Sequence, residues 1–145
     1  MQWSQTVTWM LVIAGWWLVN RQNNIREKRK EIRTLIDKLQ VYLDDVETLA
    51  IKYHTNQESS DLAFELKRSL NQKLRSKLDI LKLRTLDVNK CYPLLKQFRQ
   101  AVTLNNFDTS SFKPQSMSDT IVTNIWPAKD KLSQELEKSF ATKYR

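Results

Sequence analysis

The chain has 145 residues, with 24 Lys or Arg against 16 Asp or Glu and a formal net charge of +8. One Gly and three Pro are too few for the turns of a sandwich or barrel; one Cys excludes an internal disulfide framework, and one His excludes paired-histidine metal sites. With 41% hydrophobic and 28% charged residues, the composition is that of a folded all-α protein with a single modest core.

The first element is the most distinctive. From Val7 to Val19 the chain reads VTWMLVIAGWWLV, with Thr8 its only polar side chain. Extended back to Trp3, the uncharged stretch covers 17 residues, roughly 25 Å of helix. Trp3 lies near one end, Trp16 and Trp17 near the other, where indoles suit the headgroup layers of a bilayer; Trp9 falls mid-span. A cleaved signal peptide is disfavoured, because no Lys or Arg precedes Val7 and the run ends in Asn20-Arg21-Gln22. A surface-lying amphipathic helix needs a polar face, which residues 9–19 lack, and a buried core helix is the remaining alternative. The expectation is a transmembrane anchor over residues 1–20, with Ser4, Thr8 and Gly15 on one side where a second helix can approach closely.

Charge asymmetry sets the expected orientation. Arg21, Arg26, Lys28, Arg29, Lys30 and Arg33 stand against Glu27 and Glu31, a local net of +4. Positive residues stay on the cytoplasmic side of a membrane. The amino terminus is therefore expected outside and residues 21–145 inside as a cytosolic bundle, most simply at a bacterial inner membrane. The same cluster is suited to anionic headgroups.

A heptad helix follows. Ile25, Ile32, Leu39, Val46 and Tyr53 recur at intervals of seven, with Leu35, Tyr42 and Leu49 three residues on and Ile36, Leu43 and Ala50 broadening the stripe. This period fits either the seam of a coiled coil between protomers or the core face of an ordinary intramolecular bundle. Residues 54–60 read as a loop, with Ser59 or Ser60 as cap and Asp61 complementing the next helix dipole. That helix places Leu62, Leu66, Leu70, Leu74, Leu78 and Leu81 on a drifting stripe. Its outer face carries Lys67, Arg68, Lys73, Arg75, Lys77, Lys82 and Arg84 against Glu65 and Asp79, a net of +5. A third helix starts near Asp87 or Asn89 with Pro93 in its first turn, burying Leu94, Leu95, Phe98, Ala101 and Val102. Asn105–Gln115 is a loop, and a last helix capped by Ser116 or Ser118 carries Ile121, Ile125, Leu132, Leu136 and Phe140. Pro127 should kink that helix after Trp126, itself expected in the core. The anchor and these four amphipathic segments predict one transmembrane helix followed by a bundle of about four helices.

Chemistry is sparse in the pattern. The one Gly cannot build a phosphate loop, and no cofactor, metal or catalytic residue is expected. His54 fits a helix-end cap and Cys91 a buried small hydrophobe. Asp44 and Asp45 point about 100° apart and make no catalytic pair. An Arg separated from His54 by four to six intervening residues, as in some helical nucleases, is absent; Glu47, Thr48 and Leu49 lie there instead.

The resulting expectation is a non-enzymatic, membrane-anchored helical protein that forms homo-oligomers in contact with lipid. A pore or permeability defect is the sharpest version, an architecture that is by analogy alone that of small membrane-perturbing defence or toxin effectors. The alternative is an adaptor whose basic face recruits an acidic cytosolic protein; an enzyme with a site completed across subunits ranks third. Nucleic acid is a poorer partner for that face, where Phe64 is the only nearby aromatic able to stack on bases.

Overall fold

The computed structural model describes residues 2–145 apart from 57–59, 104–105 and 108–109, and for Gln2 the backbone alone. The described residues are helical or loop, with no strand. The helices are α1 (Gln2–Thr55), α2 (Ser60–Arg68), a π-helical segment (Ser69–Leu74), α3 (Arg75–Leu83), α4 (Cys91–Thr103), α5 (Thr120–Thr123) and α6 (Ile125–Lys143).

The expected anchor and heptad helix are one uninterrupted element of 54 residues, about 81 Å long. No Pro interrupts it, and Gly15 sits inside it with open space around its Cα. Residues 3–31 are exposed throughout, and burial begins at Ile32. The chain thus has an arm, residues 3–31, and a bundle formed by everything after it. Among the described residues no helix is long and apolar enough to cross a membrane. The transmembrane helix expected over residues 1–20 therefore has no support in the fold. Its apolar run begins only at Val7, after Gln5 and Thr6, and stops at Asn20.

The bundle runs down, up, down, up. The lower half of α1 descends from Ile32 to Thr55, and α2, the π segment and α3 return along it. At the arm end Arg84 pairs with Glu31 at 2.8 Å. Helix α4 descends again, so that Val102 meets His54 at the far end, and α6 climbs back to place Lys143 against Thr85. Helix α6 packs on both α4 and α1. The shared core includes Ile36, Leu43, Leu66, Leu78, Phe98 and Leu136, all buried.

The burial pattern corrects the heptad reading in one respect. The fully buried stripe of α1 alternates steps of four and three: Ile32, Ile36, Leu39, Leu43, Val46, Ala50, Tyr53. Leu35, Tyr42 and Leu49 flank it, half-buried. Four of the five seam residues, Ile32, Leu39, Val46 and Tyr53, lie inside this bundle and leave no seam there for a second protomer; Ile25 alone is exposed. The π segment has a similar cause. Leucines four residues apart overshoot an α-helical turn by about 40° per step, and the wider π turn brings Leu70 and Leu74 back onto the core.

Ser60 opens α2 with Asp61 in its first turn; Ser59 and Asn105 lie outside the described residues. Helix α4 begins at Cys91, later than expected, with Pro93 in its first turn. The last helix breaks at Asn124, not after Trp126. Pro127 has no N–H to offer the carbonyl of Thr123, and its ring crowds that turn. Asp119, rather than Ser116 or Ser118, precedes the first turn, its carboxylate accepting from the Ser116 N–H at 2.6 Å. Trp126 is exposed, against expectation, because Ile125, Leu132 and Leu136 take the inward positions.

Candidate functional site

From Val7 to Val19 the arm presents a continuous apolar surface, exposed at every residue. Trp3 is 87% exposed and Trp9 67%, and Trp16, Trp17, Leu11 and Leu18 are likewise open. Monomeric soluble proteins rarely leave a contiguous patch of this kind in water. The arm's hydroxyls are turned inward: Thr6 Oγ1 donates to the Trp3 carbonyl at 2.9 Å and Thr8 Oγ1 to the Ser4 carbonyl at 2.8 Å. A hydroxyl bonded to its own helix loses little on leaving water.

Below the apolar part comes the basic cluster, of which Arg21, Arg26, Lys28, Arg29 and Lys30 are exposed on the arm. Arg21 lies over the Trp17 ring at 5.5 Å. Arg33 belongs to the bundle instead. Its guanidinium donates to Glu137 at 2.6 Å and pairs with Asp37 at 2.9 Å. The Glu137 bond holds its pKa above the usual value, against the opposing effect of burial. Arg29 and Arg33 both approach the Phe140 ring, at 6.0 and 5.5 Å, clamping the end of α6 to the foot of the arm.

At that foot lies a groove of about 320 Å³ between α1, the α3–α4 connection and the end of α6. Ile25, Ile32, Leu83 and Tyr144 supply apolar walls, and Lys28, Arg84 and Lys143 rim it beside Glu31. Its α3 edge is strained. Leu86 N–H bonds to Leu81 O at 3.1 Å and Thr85 N–H to Lys82 O at 2.9 Å, a helix-ending motif that usually takes Gly. Thr85 occupies the left-handed position at φ 66°, costly for a β-branched residue. Lys143 braces the turn, donating to Thr85 O at 2.5 Å and Thr85 Oγ1 at 2.6 Å. Burial and the charge of Lys28 together lower the pKa of Lys143.

The basic face of α2 and α3 is largely engaged within the chain. Lys67 lies over Phe107, Lys77 over Tyr42 and Lys82 over Tyr92, each at 5.5–5.9 Å. Arg84 pairs with Glu31. Arg68, Lys73 and Arg75 are exposed on the π segment and its flanks.

At the far end, His54 is fully buried. Its Nε2 lies 2.6 Å from the Val102 carbonyl, in the helix opposite rather than in its own, and Asn106 Nδ2 approaches Nδ1 at 3.4 Å. With Nε2 protonated, the ring donates to Val102 and accepts from Asn106, which is itself paired both ways with the Lys113 backbone at 2.9 Å. Burial lowers the His54 pKa, outweighing the Val102 bond. Cys91 is buried, and burial, reinforced by Glu135 and Asp87, pushes its thiol up to about 12. Among the described residues no group of His, Cys, Asp or Glu side chains could hold a metal ion.

The chain matches no family model, no curated protein and no solved structure.

The sequence pattern located the arm and its basic foot, but not the groove. Lys143 and Tyr144 carry no local signal, and Thr85 becomes notable only through its φ. Lys129 was also missed. Its ammonium, mostly buried, bridges Glu47 and, at 2.8 Å, Asp44. Burial alone would lower its pKa, but the two carboxylates outweigh it and the net shift is upward.

Proposed function

We propose that this protein is a non-enzymatic, membrane-attached helical bundle that assembles with copies of itself through its arm. The observation that carries the reading is the upper arm: apolar on all sides from Trp9 to Val19, tryptophan-rich, exposed, and followed directly by exposed basic residues. Lipid accepts such a surface, and the basic foot adds attraction of about 1 kcal/mol per residue to anionic headgroups. An uncharged stretch of about 25 Å is shorter than a hydrocarbon core of about 30 Å. Mismatch of that sign is relieved by local thinning and by clustering, which links membrane entry to assembly and to a permeability defect. The seven-residue register supports the same link, since it continues from Ile25 upward through Leu18 and Leu11, all three exposed. With the bundle seam used internally, the arm is the part left for contact between copies. The charge rule favours the cytoplasmic side for the basic foot and the bundle.

The test is flotation of the full chain with neutral and anionic vesicles, combined with its mass in detergent and release of a trapped dye. Co-flotation, a defined oligomer and dye release are expected. A monomer left in the aqueous fraction overturns the reading.

The adaptor reading rests on exposed Arg68, Lys73 and Arg75, with exposed Phe64 beside Arg68. Reversing Lys73, Arg75 and Lys77 to Glu should abolish capture of an acidic partner while leaving the oligomer intact, if that reading is correct.

A further inference from the structure

The groove at the foot of the arm combines four features. Its rim carries three cationic side chains, Lys28, Arg84 and Lys143, against one carboxylate, Glu31. That carboxylate is already paired, with Arg84 at 2.8 Å. Lys143 donates to neutral oxygens of Thr85 and Arg84 and lies over the Tyr144 ring at 5.8 Å, so positive charge is concentrated between it and Lys28, close enough that Lys28 disfavours the Lys143 ammonium. Like charges gathered at one recess focus a positive field that attracts anions.

The second feature is exposed apolar surface beside the cations. Leu83 is 81% exposed and Ile25 51%, although both line the groove. Ile25 and Lys28 also line a shallower depression that runs up the arm past Asn20 and Arg21 to Trp17. Asn24 lines it as well, so a mixed surface, apolar at Ile25 and Trp17 and polar between them, leads from the cationic recess to the tryptophans.

The third feature is height. Ile25 lies six residues below Val19 and Lys28 nine, or about 9 and 13 Å along the helix axis. A headgroup layer is roughly 5–8 Å thick on each side of the hydrocarbon core. With Val19 at the edge of that core, the recess stands just beneath the phosphates. The fourth is the strained Thr85 turn, fastened by Lys143, which fixes one wall of the recess; strain of this kind concentrates at ligand-binding sites.

We infer that this groove binds one anionic phospholipid. Its phosphate sits between Lys28, Arg84 and Lys143, and an acyl chain runs along Leu83 and Ile25 towards Trp17. The inference rests on the arm's placement in lipid and adds to it a discrete, stoichiometric lipid site that couples the orientation of the bundle to the charge of the membrane.

The full chain, held in a non-ionic detergent, is titrated with phosphatidylglycerol, phosphatidylcholine or inorganic phosphate, and bound molecules are counted per chain by native mass spectrometry. One phosphatidylglycerol per chain is expected, bound at least tenfold more tightly than phosphatidylcholine. Lys28→Gln with Lys143→Gln should weaken it about tenfold. Arg26→Gln with Lys30→Gln removes the same charge from exposed arm positions and should change it less than twofold. Leu83→Asn, at a site too exposed to disturb the core, should weaken phosphatidylglycerol about fivefold with helicity unchanged by circular dichroism. Equal binding of phosphatidylcholine, equal losses in the two double variants, inorganic phosphate competing at the same concentration as the lipid, or an indifferent Leu83→Asn each overturns the inference. Flotation with neutral vesicles reports the arm alone. A chain that floats but binds no phosphatidylglycerol in detergent loses the groove and keeps the membrane reading; the opposite pair of results loses the membrane reading.

Discussion

The two halves of α1 share one backbone and differ in what surrounds them. From Ile32 to Thr55 the apolar residues form a stripe, and the run from α2 to α3 covers it together with α6. From Trp9 to Val19 they cover every side, and no described residue covers them. A stripe can be satisfied by one protein neighbour. An all-round apolar helix needs an environment on every side, and a chain of this size has no second layer to give it. The difference shows that helix propensity says little about where a helix belongs; the angular width of its apolar surface says much more.

The largest expected effect separates the halves directly. Leu11→Asp with Leu18→Asp puts two carboxylates on the exposed arm, each costing about 3 kcal/mol in a hydrocarbon environment. Vesicle flotation should be lost, while the thermal midpoint of the bundle stays unchanged. A fall in that midpoint would show that the arm packs against protein, and the contrast would fail.

The converse substitution is Phe98→Ala, in the centre of α4. It should destabilise the bundle by about 3–5 kcal/mol in denaturant titration. Flotation should survive at temperatures where the bundle is still folded.

Lys129→Met is expected to cost about 2 kcal/mol, since it leaves the mostly buried Glu47 without its counter-charge. Adding Glu47→Gln should recover part of that loss, as chemical denaturation of the double variant can show.

Acid should act at the far end of the bundle. The His54 pKa is lowered in the folded state, so the unfolded chain takes up the proton first. Its contribution to stability is complete above about the ordinary value of 6.5 and is lost as pH falls below it. Protonated Nδ1 would face the Asn106 amide as a second donor and loosen the join between α1 and the Asn106–Lys113 connection. In His54→Gln the pH dependence of the melting midpoint between 7 and 5 should be shallower, by about the share this single proton contributes. An unchanged slope would assign the acid sensitivity to carboxylates.

The smallest effect is expected at Trp126, which is 58% exposed. Trp126→Ala should shift stability by no more than about 0.5 kcal/mol; a larger loss would mean that its indole is covered in an assembly.

Much of the bundle was legible because its helices obey local rules. The four-residue leucine spacing marked the returning helix, and the seven-residue period marked α1. Pro127 marked a break, although the position of the break depended on which carbonyl its ring crowds. Trp126 misled, since an indole in an amphipathic helix reads as core until its neighbours Ile125 and Leu132 are seen to take the inward positions. The heptad stripe could equally have met a second protomer or its own chain, because periodicity records that a face is to be covered and not by what.

The sequence by itself therefore determined the helical class, the arm with its tryptophans and basic foot, and the lack of a glycine-rich or histidine-paired site. All of these depend on residues near one another in the chain. Only the tertiary structure decided that the heptad face is consumed within the bundle, and that Glu31, Arg84, Thr85 and Lys143 meet at the foot of the arm. Those residues come from three elements far apart in sequence, and their meeting depends on helix lengths and on the direction in which each helix returns. A pattern read along one dimension carries neither.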